Sequence, residues 1–202
     1  MKIDNLTVGI LAGGDSSRFG RYKATADYRG KPLVAHMIEI GKKVSSDVMI
    51  VVSNPSQKEM IQQLNPDINV VIDPGGGSRS TFSEAVTAFE HASSDYTLLL
   101  PVDSPKAKTD LLITLAQMKE GHGAVVPSWP NGFVEPLHSV YLSEHAYSNG
   151  LKTLKRESSR IQDFLSLLRN VIYVSTEVLK RFDAKLATFD QVNSPFNPRR
   201  LM

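Results

Sequence analysis

The chain contains no cysteine, which removes disulfides, thiolate-bound metals and cysteine nucleophiles from consideration and says little about redox compartment. It also lacks an excess of charge of either sign: 23 lysines and arginines stand against 21 aspartates and glutamates, a net charge of +2. So weak a field gives no reason to expect nucleic acid or a membrane as partner, and any anion site must be local. The apolar stretch near the N-terminus is far too short for a signal or membrane segment, so a cytoplasmic location is expected. There is no internal repeat, no long low-complexity tract and no convincing linker. The Pro/Gly-rich pieces, Pro74 to Gly77 and Pro127 to Gly132, are short enough to be loops. With 202 residues, 41% of them hydrophobic and 22% charged, the chain reads as one globular α/β domain spanning 1–202 with one active cleft.

What is present is alternation. Val8 to Leu11, Val48 to Val52, Val70 to Ile72, Thr97 to Leu100, Ala124 to Val126 and Val171 to Val174 are short β-branched runs that read as strands. Between them, apolar residues recur at helical spacing: Leu33, Met37, Ile40 and Val44; Phe82, Ala85, Val86 and Phe89; Leu111, Leu115 and Met118; Ile161, Phe164, Leu165 and Leu168. This order predicts a three-layer α/β fold, a mostly parallel sheet with helices on both faces, whose ligands bind at the carboxyl ends of strands. The tail after Val192, with Pro195, Pro198 and two arginines, is expected to dock as a short terminal segment.

The first strand opens into LAGGDSSRFGRYK, residues 11–23. Gly13 and Gly14 carry no Cβ, so the backbone can turn sharply and bring bare N–H groups close to a ligand. Successive N–H donors make a nest for phosphate. Ser16 and Ser17 add hydroxyls, Arg18 a planar fork and Lys23 a movable point charge, the set a triphosphate requires. Arg18 and Lys23 are therefore the catalytic candidates in this loop. The spacing is not that of the P-loop, because no Lys-Ser/Thr follows a second glycine, and G-x-G-x-x-G is absent too. Scattered residues of these types would make only a glycine-rich turn with solvated charges; their grouping directly after a first strand favours function.

The pattern L-A-G-G-x-S-x-R-[FM]-G-x-x-K, here Leu11 to Lys23, is followed by Gly30-Lys31-Pro32-Leu33 and His36. Together they resemble the N-terminal signature of the nucleotidyltransferases related to molybdenum cofactor guanylyltransferase. The resemblance continues in order through Asp73, Asp103 in Pro101-Val102-Asp103-Ser104-Pro105, Glu135-Pro136-Leu137 before Tyr141, and Gln191-Val192-Asn193-Ser194-Pro195. It implies a Rossmann-like fold of the nucleotide-diphospho-sugar transferase type. It also implies that Leu11, Ala12, Gly13, Gly14, Ser16, Ser17, Arg18 and Lys23, with Asn54, Asp73 and Asp103, bind the nucleotide. Asp103 is implied as a Mg²⁺ ligand with Asn193 close by, Gln191 standing where the family has a further asparagine. The implied partners are GTP and a phosphorylated pterin acceptor, with transient protein partners in cofactor delivery.

The residues support parts of this directly. Asp103 follows an apolar run and precedes Pro105, so its carboxylate should project from a strand end, and one carboxylate plus substrate phosphates is a normal way to hold Mg²⁺. Its plainer role would be to cap the helix around Leu111 to Met118, although Thr109 or Ser104 would cap better. Asn54-Pro55 and Asp73-Pro74 are also common turn openers; an aspartate at 73 can accept from the N–H edge of guanine. Tyr22 stands where the guanylyltransferases often have an aspartate, so Lys23 is expected to lack a local carboxylate partner and to be oriented by substrate alone. Gly75 to Gly77 stand in place of the family's Gly-Pro-Leu-Ala-Gly type segment, and Arg79 either pairs with the second substrate's phosphate or faces solvent. The five histidines, at 36, 91, 122, 138 and 145, have no metal-ligand spacing, so packing or capping is their default. Trp129 could stack on a pterin or cover the core.

The reaction inferred is transfer of a nucleoside monophosphate from an NTP to a phosphorylated acceptor, with release of pyrophosphate. The acceptor oxygen is already anionic, so alignment and charge neutralisation suffice and the lack of a Ser-His-Asp or Cys-His set is consistent. The best specific reading is GTP plus molybdopterin-bound molybdenum. The alternatives are a relative using CTP, or acting on a sugar phosphate or another cofactor phosphate, and a non-catalytic nucleotide-binding module. The absence of a C-terminal hexapeptide β-helix argues against the bifunctional sugar-nucleotide enzymes.

Overall fold

The structure, a computed structural model, describes residues 2–14, 22–75, 80–156 and 161–192. All six predicted strands form: β1 (Leu6–Leu11), then β4 (Asp47–Val52), β5 (Asn69–Ile72), β6 (Tyr96–Pro101), β7 (Ala124–Ser128) and β9 (Val171–Ser175). Three short strands were not predicted. β2 (Asp27–Tyr28) and β3 (Lys31–Pro32) make a small antiparallel ribbon, and β8 (Val140–Leu142) enters the main sheet. The main sheet has the order β5-β4-β1-β6-β8-β7-β9. It is parallel throughout except for β8, which runs antiparallel to both β6 and β7.

Side chains alternate across the sheet and divide the core in two. Val8 and Ile10 of β1, Ile50 of β4 and Leu98 and Leu100 of β6 share one cluster with residues of α1 (Leu33–Val44), α2 (Pro55–Leu64), α4 (Thr109–Gln117) and α7 (Thr176–Leu179). Leu11, Met49, Val51 and Leu99 face the other way, onto α3 (Thr81–Glu90), α5 (Ser143–Lys155) and α6 (Ile161–Leu167). On that side Phe82, Phe89, Tyr141 and Phe164 pack edge-to-face, tilted or stacked, with ring centroids between 5.2 and 6.1 Å apart. The result is a three-layer α/β fold. No helix among the described residues is long and apolar enough to cross a membrane.

The four predicted helical stripes lie on α1, α3, α4 and α6; α2, α5 and α7 were missed for physical reasons. In α2 only Gln57 and Ile61 are buried, so it shows no apolar stripe. Its start was written as Asn54-Pro55, which serves as a cap with proline in the first turn rather than as an isolated turn. In α5 the buried face is Ser143, Ala146, Asn149, Gly150 and Thr153. Those small residues let α5 approach α3 so closely that a Cβ on Gly150 would lie 2.6 Å from Val86.

Gly123 joins the far half of the sheet. Its N–H donates to Asn170 (3.1 Å), and its carbonyl accepts from Leu142 (3.0 Å). A Cβ there would lie 2.1 Å from the Arg169 carbonyl oxygen, a backbone atom that cannot move without breaking these bonds. Gly123→Ala is therefore expected to destabilise the protein by about 1–3 kcal/mol, the usual cost of overpacking. Urea denaturation reads this, and unchanged stability would show that the β7–β9 end tolerates the extra methyl.

Candidate active site

In the order β5-β4-β1-β6-β8-β7, the connection leaving β1 leads to β4 on one side, while the connection leaving β6 leads to β7 on the other. Such a reversal opens a crevice outside the carboxyl ends of β1 and β6. Backbone bonding carries the ladder just past the strand ends: Ala12 donates to Val51 (2.8 Å), Asp73 to Val52 (2.7 Å) and Val102 to Leu11 (3.0 Å). Gly13, Ser53, Asp73 and Asp103 thus leave four neighbouring strands at nearly one level.

Lys23 and Asp103 meet across this crevice. Lys23 opens a short 3₁₀ turn, Lys23–Thr25, and its Nζ forms an ion pair and hydrogen bond with Asp103 Oδ2. The Asp103 side chain is only 8% exposed and that of Lys23 is 27% exposed, so solvent reaches the pair mainly from the lysine side. This corrects the expectation that Lys23 lacks a carboxylate partner: Asp103 supplies one from another strand. Asp103 does not cap a helix, nor do Ser104 or Thr109, because α4 begins at Thr109 after Lys108 without a side-chain cap. The Val192 amide donates to the Asp103 carbonyl (2.8 Å), so the chain reaches Asp103 just after Gln191. Asn193, like Ser16, Ser17, Arg18 and Arg79, lies outside the described residues.

Tyr22, the departure from the family pattern, closes the loop. Its hydroxyl donates to the Ala12 carbonyl at 2.7 Å, tying the start of the loop to its end. Burial, and then the nearby Glu84 charge, push the Tyr22 hydroxyl pKa far up, so it stays a donor. Leu11 and Ala12 are buried, with side chains in the two cores, leaving only their backbone for a ligand.

Gly13 is held on both sides. Its carbonyl accepts from the Ser53 hydroxyl (2.6 Å), and its N–H donates to Glu84 Oε2 (3.2 Å). The bare Gly13 amide foreseen from the sequence is thus already paired. A Cβ on Gly13 would lie 2.3 Å from Ser53 Oγ and 2.7 Å from Glu84 Oε1, so glycine is required here for space. A Cβ on Gly14 would meet nothing within 4 Å.

Glu84 and Ser53 were not foreseen, and both Asn54 and Asp73 prove to be engaged locally. The Asn54 side-chain oxygen Oδ1 accepts from Gln57 N–H (2.9 Å) and caps α2. Asp73 is buried and accepts from Ser83 Oγ (2.7 Å), Thr87 Oγ1 (2.9 Å) and Gly75 N–H (3.2 Å). The available signal was α3 itself, where Ser83, Glu84 and Thr87 interrupt an apolar helix that is buried from Phe82 to Phe89. Burial is the leading cause that raises the Glu84 pKa from 4.5 to about 7; the Asp73 charge also raises it and the Gly13 bond lowers it.

The remaining candidates take plain roles. Trp129 is buried edge-on against Phe189 and donates to Glu135 Oε1 at 2.7 Å, so it covers the core. His36 bonds the Tyr28 carbonyl at 2.7 Å, and His91 and His122 bond carbonyls one helical turn back. Among the described residues no group of three or more histidines, aspartates and glutamates could cage a metal. A hard ion held by one carboxylate and substrate phosphates suits Asp103, a nearly buried oxygen donor at the crevice. A cavity of about 720 Å³ lined by Asp95, Ser143, His145 and Arg169 lies at the opposite end of the sheet, where β6 begins, and none of the residues expected to bind the nucleotide lines it.

A family model described as a MobA-like NTP transferase domain matches residues 8–171. The chain is 31% identical over 170 residues to a probable molybdenum cofactor guanylyltransferase of Bacillus cereus, covering 83% of this chain and 82% of that one. It is 27% identical over 194 residues to a protein of the same description from Natranaerobius thermophilus, covering 95% and 92%. A crystal structure of molybdopterin-guanine dinucleotide biosynthesis protein A from Archaeoglobus fulgidus superposes with a TM-score of 0.79 at 25% identity, covering 94% of this chain and 93% of that chain.

Glu84 makes stability depend on pH in a defined direction. Because its pKa is higher in the folded state, its contribution is full below about 4.5 and is lost as pH rises through about 7. From pH 5 to pH 8 the loss should be on the order of 2–3 kcal/mol. Glu84→Gln, which cannot ionise, should lack that loss when both proteins are denatured in urea at the two pH values. An identical pH dependence in the two proteins would contradict it.

Proposed function

This chain belongs to the MobA-like NTP transferase family, and on that premise we propose that it transfers GMP from GTP to molybdopterin-bound molybdenum, releasing pyrophosphate. The observation that carries the reading is the meeting of Lys23 with Asp103 at the reversal point of the sheet. A nucleotidyltransferase needs positive charge over the α-phosphate and a hard carboxylate for a metal at one place, and this pair supplies both. The guanylyltransferase names of the relatives support GTP and a molybdenum cofactor acceptor.

The acceptor phosphate oxygen attacks the α-phosphorus, the bond from that phosphorus to the β-bridging oxygen breaks, and pyrophosphate leaves with the electron pair. Lys23 neutralises charge gathering on the α-phosphate, and Arg18 and the hydroxyls of Ser16 and Ser17 engage the β- and γ-phosphates. Leu11, Ala12 and Gly14 contribute backbone to the nucleotide site, and Asn54 and Asp73 shape its base side. Asp103 and Asn193 would hold Mg²⁺; when bound, the ion would supply charge neutralisation and alignment of the phosphates. Ser53 and Glu84 fix Gly13, and Tyr22 closes the loop, so the donors are set before substrate arrives. Residues 1–202 act as a single nucleotidyltransferase domain in the cytoplasm, with transient protein partners delivering the acceptor.

Pyrophosphate release measured with each of the four NTPs, Mg²⁺ and molybdopterin-bound molybdenum tests the reading. GTP should be preferred, and Asp103→Asn should lower turnover roughly 10²–10³-fold with the fold intact, the scale of losing one charge-stabilising group. Lys23→Ala should act mainly on kcat; a pure KM effect would make Lys23 a binding group only. Preference for CTP, or a sugar phosphate accepted in place of the pterin, would move the substrate. Nucleotide binding without turnover would favour a non-catalytic module.

A further inference from the structure

Against the start of the loop lies Glu84, a buried carboxyl group that takes no part in the bonds made and broken, with the buried Asp73 near enough for its charge to act on it. Asp73, 3% exposed, accepts hydrogen bonds from Ser83, Thr87 and Gly75. Glu84, 4% exposed, has one described hydrogen bond, the 3.2 Å contact from the Gly13 amide. Among the described residues, the titratable groups facing Glu84 are Asp73, from the end of β5, and Tyr22, whose hydroxyl is tied to Ala12. A buried carboxylate is costly where it has few donors and another acid beside it. Adding a polyphosphate above Gly13 places a third anion in the same low-dielectric region and raises that cost again.

We propose that Glu84 is a proton-coupled positioning residue: polyphosphate binding at the Gly13–Lys23 loop drives one proton from solvent onto the Glu84 carboxylate. The proton adds to one carboxylate oxygen and no other bond changes; the neutral acid keeps a carbonyl oxygen with which to accept the Gly13 N–H. Glu84 is the acid that takes the proton because, among the described residues, it accepts one hydrogen bond where Asp73 accepts three. The Glu84 pKa of about 7 leaves the carboxyl half-ionised at neutral pH, so this is where uptake can occur. The consequence is nucleotide affinity that falls as pH rises. This inference rests on the loop being the phosphate site, as proposed above.

Titration calorimetry of GTP with Mg²⁺, at pH 7 and 8.5 in buffers of different ionisation enthalpy, counts the protons taken up. Wild type should take up about half a proton at pH 7 and close to one at pH 8.5, with affinity roughly tenfold weaker per pH unit above 7. Glu84→Gln should show neither effect and should bind more tightly than wild type at pH 8.5. Because the wild-type proton count stands alone, a poorly folded variant does not rescue the inference. GTP binding without uptake, or with the same pH dependence in both proteins, overturns it while leaving the phosphate-loop reading intact. No binding of any NTP by folded wild type removes the phosphate-loop reading and this inference together.

Discussion

Strand β1 lies between β4 and β6, parallel to both, with Ile10 opposite Ile50 on one side and Leu100 on the other. Parallel pairing in register makes the three strands end together, and β5 joins at the same level beyond β4. A protein built this way delivers whatever follows its strands to a single rim. Here that rim receives a glycine loop, a serine and two aspartates from distant parts of the chain. The helices on both faces bury the sheet and hold those ends still, so the loop that follows β1 starts from a fixed point.

The same geometry explains why Gly13 has no room for a side chain. Ser53 approaches from β4 and Glu84 from α3, and each makes a hydrogen bond to the Gly13 backbone. Tyr22 then ties the loop's end to Ala12, and Lys23 follows at once with its ion pair to Asp103. All but the Tyr22–Ala12 tie join residues far apart in sequence, and together they limit where Lys23 can stand. On the proposed reading, these ties at the rim, rather than a reactive side chain, are what the site brings to nucleotidyl transfer.

Much of this was legible in the sequence. β1, β4, β6 and β7 were visible because they are largely buried on both faces and so read as continuous apolar runs, whereas the partly exposed edge strands β5 and β9 showed through their valines and isoleucines. The helices with apolar stripes were visible for the same reason of burial. α5 was not, because it packs through serine, alanine, asparagine, glycine and threonine, and β8 was not, because it is a three-residue strand. At the site, Gly13, Lys23 and Asp103 stood out by type and context. The partnership of Lys23 with Asp103, and the clamp made by Ser53, Tyr22 and Glu84, did not. Tyr22 looked like a loss when compared with the family pattern, yet its hydroxyl is a tie within the loop. Pairings across 80 or 71 residues depend on strand order, which sequence spacing does not carry.

The central claim is that nucleotide and metal meet where β1 and β6 part. A crystal structure of the protein with Mg²⁺ and a non-hydrolysable GTP analogue tests it most directly. The account predicts the triphosphate over the Gly13–Lys23 loop, the α-phosphate within reach of Lys23 Nζ and the metal on Asp103. A nucleotide seated instead in the cavity at the opposite end of the sheet, against His145 and Arg169, would contradict it.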